Sequence, residues 1–257
     1  MKNKLIIIAV LLIAALSVLV LLFSGGYVVP VLMYHSIDYN DKMTKLSVSP
    51  EGFQRQMEFL YKHKYNVVTL DKITSYLEKK ERIPPKTVAI TFDDGYDNNY
   101  KYAYPVLKKY NLPAAIFVIV NKVDTPGYLT WAQIKEMSDS GIISIGSHTM
   151  AHLWLPDVAP DVLESEVKKS KKVLEEKIGG NVKYFCYPIG AHDRKVEDAV
   201  RDAGYSCAVA TNPGKHQPNN DIYAIKRIKI SRTSDNLFVF WFETSGIYTW
   251  VKEYRDE

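Results

Sequence analysis

The chain of 257 residues predicts an α/β fold, a mostly parallel sheet covered by helices and either open or closed into a barrel. Three observations carry that expectation. Eight short runs rich in apolar and β-branched residues alternate with amphipathic segments. In the run TVAITF at 87–92, the five residues Thr87–Thr91 are β-branched or small and mostly apolar, the pattern of a strand buried on both faces. Residues able to do chemistry gather just beyond such runs, where folds of this class place their working groups.

The N-terminus comes first. Lys2 and Lys4 precede an uncharged apolar run from Leu5 to Phe23, roughly 28 Å long as a helix and enough to cross a bilayer core. A cleavable signal has a shorter apolar region, about 7–15 residues, and a small-x-small exit; no Ala-x-Ala site follows here. The expectation is one N-terminal transmembrane helix, with 1–26 as an anchor or uncleaved signal and 27–257 as a single domain. Basic residues on the short side favour leaving that side in the cytoplasm. The domain would then be extracytoplasmic at the cell membrane, with secretion after cleavage as the alternative.

Strands are expected at 31–34, 66–70, 87–92, 114–120, 142–145, 183–187, 205–210 and 225–230. Ser49-Pro50 is a helix start, a cap followed by proline at the first helical position. Asp71 can cap a second helix, through Leu77. A third covers 100–110, kinked or restarted by Pro105. Thr130 with Gln133 makes a capping box. In 161–178, Val162, Val167, Leu174 and Ile178 recur among many Lys and Glu, and the charge run reads as a solvated helix face. Helices at 194–203 and 236–244 complete the series.

Composition narrows the function. The net charge is +4, and the lysines are spread along helical segments rather than set in a stripe, which argues against a nucleic-acid partner. Cys186 and Cys207 are not a CxxC pair, so redox catalysis and a zinc ribbon are not suggested. A disulfide and two buried thiols both fit.

The chemistry starts at Asp93-Asp94-Gly95, directly after the 87–92 run. Two ionised neighbours at a buried strand end repel each other and lose solvation, so a turn cap alone is a costly use of them. Neighbours on a strand point to opposite sides; one carboxylate can face a cation while the other faces substrate or water. His148 and His152 follow the 142–145 run, and four residues of helix would put both imidazoles on one face. Two histidines and a carboxylate with an open position make a catalytic zinc set. His35 follows the first strand, and Tyr187-Pro188-Ile189-Gly190 follows the sixth.

Thr91-Phe92-Asp93-Asp94-Gly95 and Ser147-His148-Thr149-Met150-Ala151-His152 resemble the first two signature motifs of the polysaccharide deacetylases, the NodB-homology or carbohydrate esterase family 4 group. Tyr187-Pro188-Ile189-Gly190 is similar to the third. The resemblance implies a distorted (β/α) barrel of about seven parallel strands. It also implies one divalent metal ion, most often zinc with cobalt or nickel as alternatives, bound by Asp94, His148 and His152. Asp93 would be the general base, and Ile189, beside Tyr187 and Pro188, would give a backbone N–H to the oxyanion. The implied reaction removes acetyl groups from N-acetylated sugars, N-acetylglucosamine residues of a cell-envelope or extracellular polysaccharide.

Two departures stand out. Many members carry an arginine two residues before the motif-three proline, where this chain has Cys186. Many also carry a late Leu-x-His that supplies the general acid; the sole histidine after His192 here is His216, with no apolar strand before it. Leu32-Met33-Tyr34-His35 resembles the poly-N-acetylglucosamine deacetylase branch, in which a first-strand histidine is the acid, so His35 takes that role ahead of His192. Trp131, Trp154 and Tyr128 could stack on sugar faces or serve as core aromatics. The competing readings are a non-catalytic glycan-binding descendant and an O-acetyl esterase acting on xylan. A two-carboxylate glycosidase is disfavoured, because its acids must flank a bond at about 5–10 Å.

Overall fold

The computed structural model describes residues 29–39, 46–211, 221–246 and 248. The apolar run from Leu5 to Phe23 and His216 lie outside them. Among the described residues no helix is long and apolar enough to cross a membrane.

The strands are β1 (Val31–Tyr34), β2 (Asn66–Val67), β3 (Thr87–Phe92), β4 (Ala114–Val118), β5 (Ile143–Ser147), β6 (Tyr184–Cys186), β7 (Cys207–Val209) and β8 (Ile228–Lys229). The helices are α1 (Pro50–Lys62), α2 (Leu70–Glu78), α3 (Tyr104–Tyr110), α4 (Trp131–Asp139), α5 (Pro160–Glu164), α6 (Ser170–Ile178), α7 (Arg194–Asp202) and α8 (Leu237–Thr244). Every strand pairing is parallel, in the order β7-β6-β5-β4-β3-β1-β8, with β2 on β3. Parallel neighbours need crossovers, and the intervening helices supply them.

The sheet curls until its two ends are joined by one short stretch of chain. Ile225 bridges Val209 beyond β7, and three residues later Ile228 pairs with Leu32 of β1. Arg227 lies in that seam and is fully buried. The result is the curled (β/α) sheet expected, with eight strands among the described residues; β2, expected over 66–70, is two residues long.

Local chemistry explains most helix starts. Ser49 accepts from the Gly52 N–H and Pro50 opens α1. The Thr130–Gln133 capping box is present in both directions. Thr69, not Asp71, caps α2, because the helix begins two residues earlier than expected; Asp71 instead pairs with Lys183 at 2.8 Å. The 100–110 segment divides into a π-helical turn, Asn99–Ala103, and α3, which starts at Tyr104 with Pro105 in its first turn. The 161–178 segment is also interrupted, with the π-helical turn Ser165–Lys169 between α5 and α6. Its charge run is not wholly a solvated face: Glu166 is buried.

Alternate strand residues feed two separate buried clusters, one of them formed by Val31, Ala89, Ala115, Phe117, Cys186 and Val209. The other packs the sheet against the helices. Leu32, Ile90, Ile116, Ile145 and Ala208 pack with helix residues such as Phe53, Leu107, Ile134 and Val196. Cys186 and Cys207 are buried and free, so of the two cysteine readings the unpaired one holds.

Candidate active site

The carboxyl ends of β1, β3 and β5 and the turn after β6 meet at a cavity of about 380 Å³, lined by His35, Asp93, Asp94, His148, His152 and Ile189 among others. The two neighbouring aspartates part company through backbone geometry. The Asp93 N–H still donates to the Tyr34 carbonyl at 2.9 Å, continuing the β1–β3 ladder. Asp94 is the first residue off it, with φ +70°, and Gly95 follows at +75°. Asp93 therefore stays buried, while Asp94 turns to the cavity, part-exposed.

His148 and His152 do come together, though not on a helix. Thr149 and His152 both adopt left-handed backbone (φ +68° and +61°), so the segment is a folded loop. The ring centroids are 4.7 Å apart. Asp94 Oδ1 is 3.5 Å from His148 Nε2 and 3.8 Å from His152 Nε2, too far for hydrogen bonds. Ligand atoms placed tetrahedrally at zinc distances are about 3.4 Å apart, close to the spacing seen. His148 Nδ1 lies 2.8 Å from the Cys186 carbonyl. A carbonyl only accepts, so Nδ1 carries the proton and Nε2 is left with a lone pair aimed at the other two groups. Burial, and then the nearby His148, lower the pKa of His152, which favours the neutral ring. The donor set fits one divalent cation.

A second group, Asp93, His148 and Cys186, is equally compact, but it already holds a cation. Arg227 donates from Nη1 to Asp93 Oδ1 and from Nη2 to Asp93 Oδ2, both at 2.6 Å. Nη2 is also 3.1 Å from Cys186 Sγ, while Nε donates to the Ala210 carbonyl and Nη1 to the Thr91 hydroxyl. A metal ion there would face a guanidinium. Burial also pushes the Cys186 thiol well above its ordinary pKa, so no thiolate is on offer.

Sequence reasoning missed Arg227. The available signal was a lone arginine inside the run IKRIKI at 225–230. The guanidinium arrives from the seam and rests against Cys186, the residue two places before the motif-three proline. Burial alone would raise the Asp93 pKa, but the paired guanidinium outweighs it and holds the carboxyl far below the usual range.

His35 Nε2 lies 4.0 Å from Asp93 Oδ2, and its buried Nδ1 has no partner among the described residues. Burial lowers its pKa, opposed by Asp93 and Asp94. Of the three motif-three residues, Ile189 alone reaches the cavity, in a left-handed conformation (φ +59°) and 63% exposed. Tyr187 is fully buried, its hydroxyl on the Tyr223 carbonyl and its ring stacked on His192 at 4.7 Å. Pro188 is buried too. Tyr187 and Pro188 thus shape the turn rather than line the site, a correction to the sequence expectation. His192 contacts Gly190 and Glu197 instead of the cavity. Gly190 has φ +77°, and a side chain there would collide with the Thr211 hydroxyl. Tyr128 stacks on Tyr96, Trp131 packs against the core and Trp154 is half-exposed; none of the three lines the cavity.

The profile of the family described as polysaccharide deacetylase matches residues 80–208, half the chain. This chain belongs to the polysaccharide deacetylase family. It is 37% identical over 202 residues to YxkH of Bacillus subtilis, covering 79% of this chain and 71% of that protein. It is 30% identical over 199 residues to the poly-β-1,6-N-acetyl-D-glucosamine N-deacetylase of Staphylococcus epidermidis, covering 72% and 68%. The solved Streptococcus pyogenes deacetylase PplD, in complex with acetate, superposes with a TM-score of 0.75 at 29% identity, covering 82% of this chain and 97% of that one. The protein is therefore a polysaccharide deacetylase, a hydrolase. His35 and Arg227, which both approach Asp93, lie outside the matched span.

Proposed function

We propose that this polysaccharide deacetylase is a metal-dependent N-deacetylase acting on polymers of N-acetylglucosamine outside the cytoplasmic membrane, held there by the run from Leu5 to Phe23. The observation that carries the metal dependence is the convergence of Asp94 Oδ1, His148 Nε2 and His152 Nε2. The poly-N-acetylglucosamine relative supports the substrate class.

A divalent ion held by Asp94, His148 and His152 supplies Lewis acidity, polarising the acetyl carbonyl and making a water more acidic. That need is matched by Asp93. The paired Arg227 guanidinium holds its carboxyl far below the usual range and makes it a weak base, so it can accept a proton only from an acidified water. Water oxygen bonds to the acetyl carbon, and the Ile189 N–H donates to the oxyanion that forms. The C–N bond then breaks, acetate leaves, and the amine nitrogen takes a proton. His35, 4.0 Å from Asp93, is the donor. Neutral at rest, it gains the proton that Asp93 removed from water.

The test uses the full-length protein with a β-1,6-linked N-acetylglucosamine oligomer. Acetate and free amine should appear in equal amounts, stop on chelation and resume with zinc. Acetate release indifferent to chelation overturns the metal dependence. Release from O-acetylated xylan alone overturns the substrate class.

A further inference from the structure

We infer that Glu166 is a positioning residue for the metal centre, tethering the loop that presents His152. The inference rests on the reading of Asp94, His148 and His152 as ligands.

Glu166 sits among exposed charges at Glu164, Lys168 and Lys169, yet is 5% exposed. Its Oε2 accepts the Ala151 N–H at 2.9 Å, a charge-assisted bond to the residue directly before His152. The loop is one that needs tethering. Thr149 and His152 are both left-handed, a conformation disfavoured for residues with side chains and stable only when the surroundings impose it. On one side the exit of β4 holds it: Val120 and Asn121 donate to the Thr149 and Met150 carbonyls at 3.1 and 2.9 Å. Inside the loop, Thr149 N–H donates to Ser147 Oγ and His152 N–H to Thr149 Oγ1. On the other side stand the π-turn, through Glu166, and the start of α6, through Ser170, which receives the Ser147 hydroxyl at 2.8 Å.

The π-turn explains how a glutamate on a charged helix reaches inward. The wider turn leaves main-chain carbonyls without their α-helical partners, and here Val167 O accepts from the Ser170 and Tyr205 hydroxyls at 2.9 and 3.0 Å. An α-helical course through 165–169 would rotate the preceding residues by about 100° against α6. Leu174 and Ile178 could then stay in the core only if Glu166 left the loop.

Reach and charge can be varied separately at this position. Glu166→Gln keeps the length and an acceptor oxygen but no charge; Glu166→Asp keeps the charge but is one methylene short; Glu166→Asn is short and neutral, and folds even if a stranded buried charge unfolds the Asp variant. Zinc alone is the probe, bound to the full-length protein in competition with a chromophoric chelator, with unfolding of the zinc-free form followed alongside. Affinity should follow length: Gln within about threefold of wild type, and the short variants weaker by about 10- to 100-fold while the zinc-free fold persists. A short variant that folds and binds zinc like wild type overturns the inference, as does a Gln variant as weak as Asn. Absence of zinc binding by the wild type would instead refute the ligand reading.

Discussion

Arg227 spans both oxygens of Asp93 at 2.6 Å while lying 134 positions away in sequence. Both groups are buried, and the planar fork of arginine matches a carboxylate as lysine cannot.

Removing the guanidinium should therefore damage both fold and function. Arg227→Met strands a buried carboxylate, a loss of about 3–5 kcal/mol in unfolding free energy, with activity falling as Asp93 takes up a proton. Cys186→Arg alone should also destabilise, by crowding two guanidiniums against one carboxylate. The double variant, Cys186→Arg with Arg227→Ala, moves the arginine to the position many relatives use and should recover part of both losses. Denaturant midpoints and acetate release on all three check this; no recovery in the double variant would show that the two positions are not equivalent.

His35 as acid makes a leaving-group prediction. An amide needs its nitrogen protonated, whereas the phenolate of an aryl acetate leaves unaided. His35→Gln should cut acetamide hydrolysis by about 10²–10⁴-fold and aryl acetate hydrolysis far less. Equal losses on both substrates would assign His35 a role other than proton donation.

The cysteines should be silent in the native protein. Burial pushes the Cys207 thiol up to about 12 and Cys186 higher than its ordinary value, so neither forms thiolate at pH 8. A colorimetric thiol assay should read zero in buffer and two in denaturant. A reading of zero in denaturant would mean a disulfide.

Gly190→Ala should be disruptive out of proportion to one methyl group. The residue is left-handed and its Cβ meets Thr211, whose hydroxyl also donates to the Ile189 carbonyl at 2.8 Å. A loss of about 1–3 kcal/mol, together with lower turnover as the Ile189 turn shifts, is expected from denaturation and kinetics. A variant with wild-type stability would show that the turn yields easily.

Much of this arrangement is legible in the sequence, because strand ends announce themselves. The buried run before Asp93 and the spacing of His148 and His152 needed no coordinates to suggest one ion. The helix inferred between those histidines was wrong, since the i, i+4 spacing is silent about the two left-handed residues and the Glu166 tether that bring the rings together. Arg227 was hidden for a related reason: its contact depends on the seam that joins Ile225 to β7 and Ile228 to β1, a long-range pairing with no local signal. Glu166 was concealed by its neighbours, as a π-turn shifts helical phase without altering composition.

The most direct measurement is zinc stoichiometry and acetate release on the full-length Asp93→Asn protein, side by side with wild type. The expected result is one zinc per chain in both, with acetate release lost in the variant. Full acetate release by Asp93→Asn, or loss of its zinc, would contradict the division of labour between the two neighbouring aspartates.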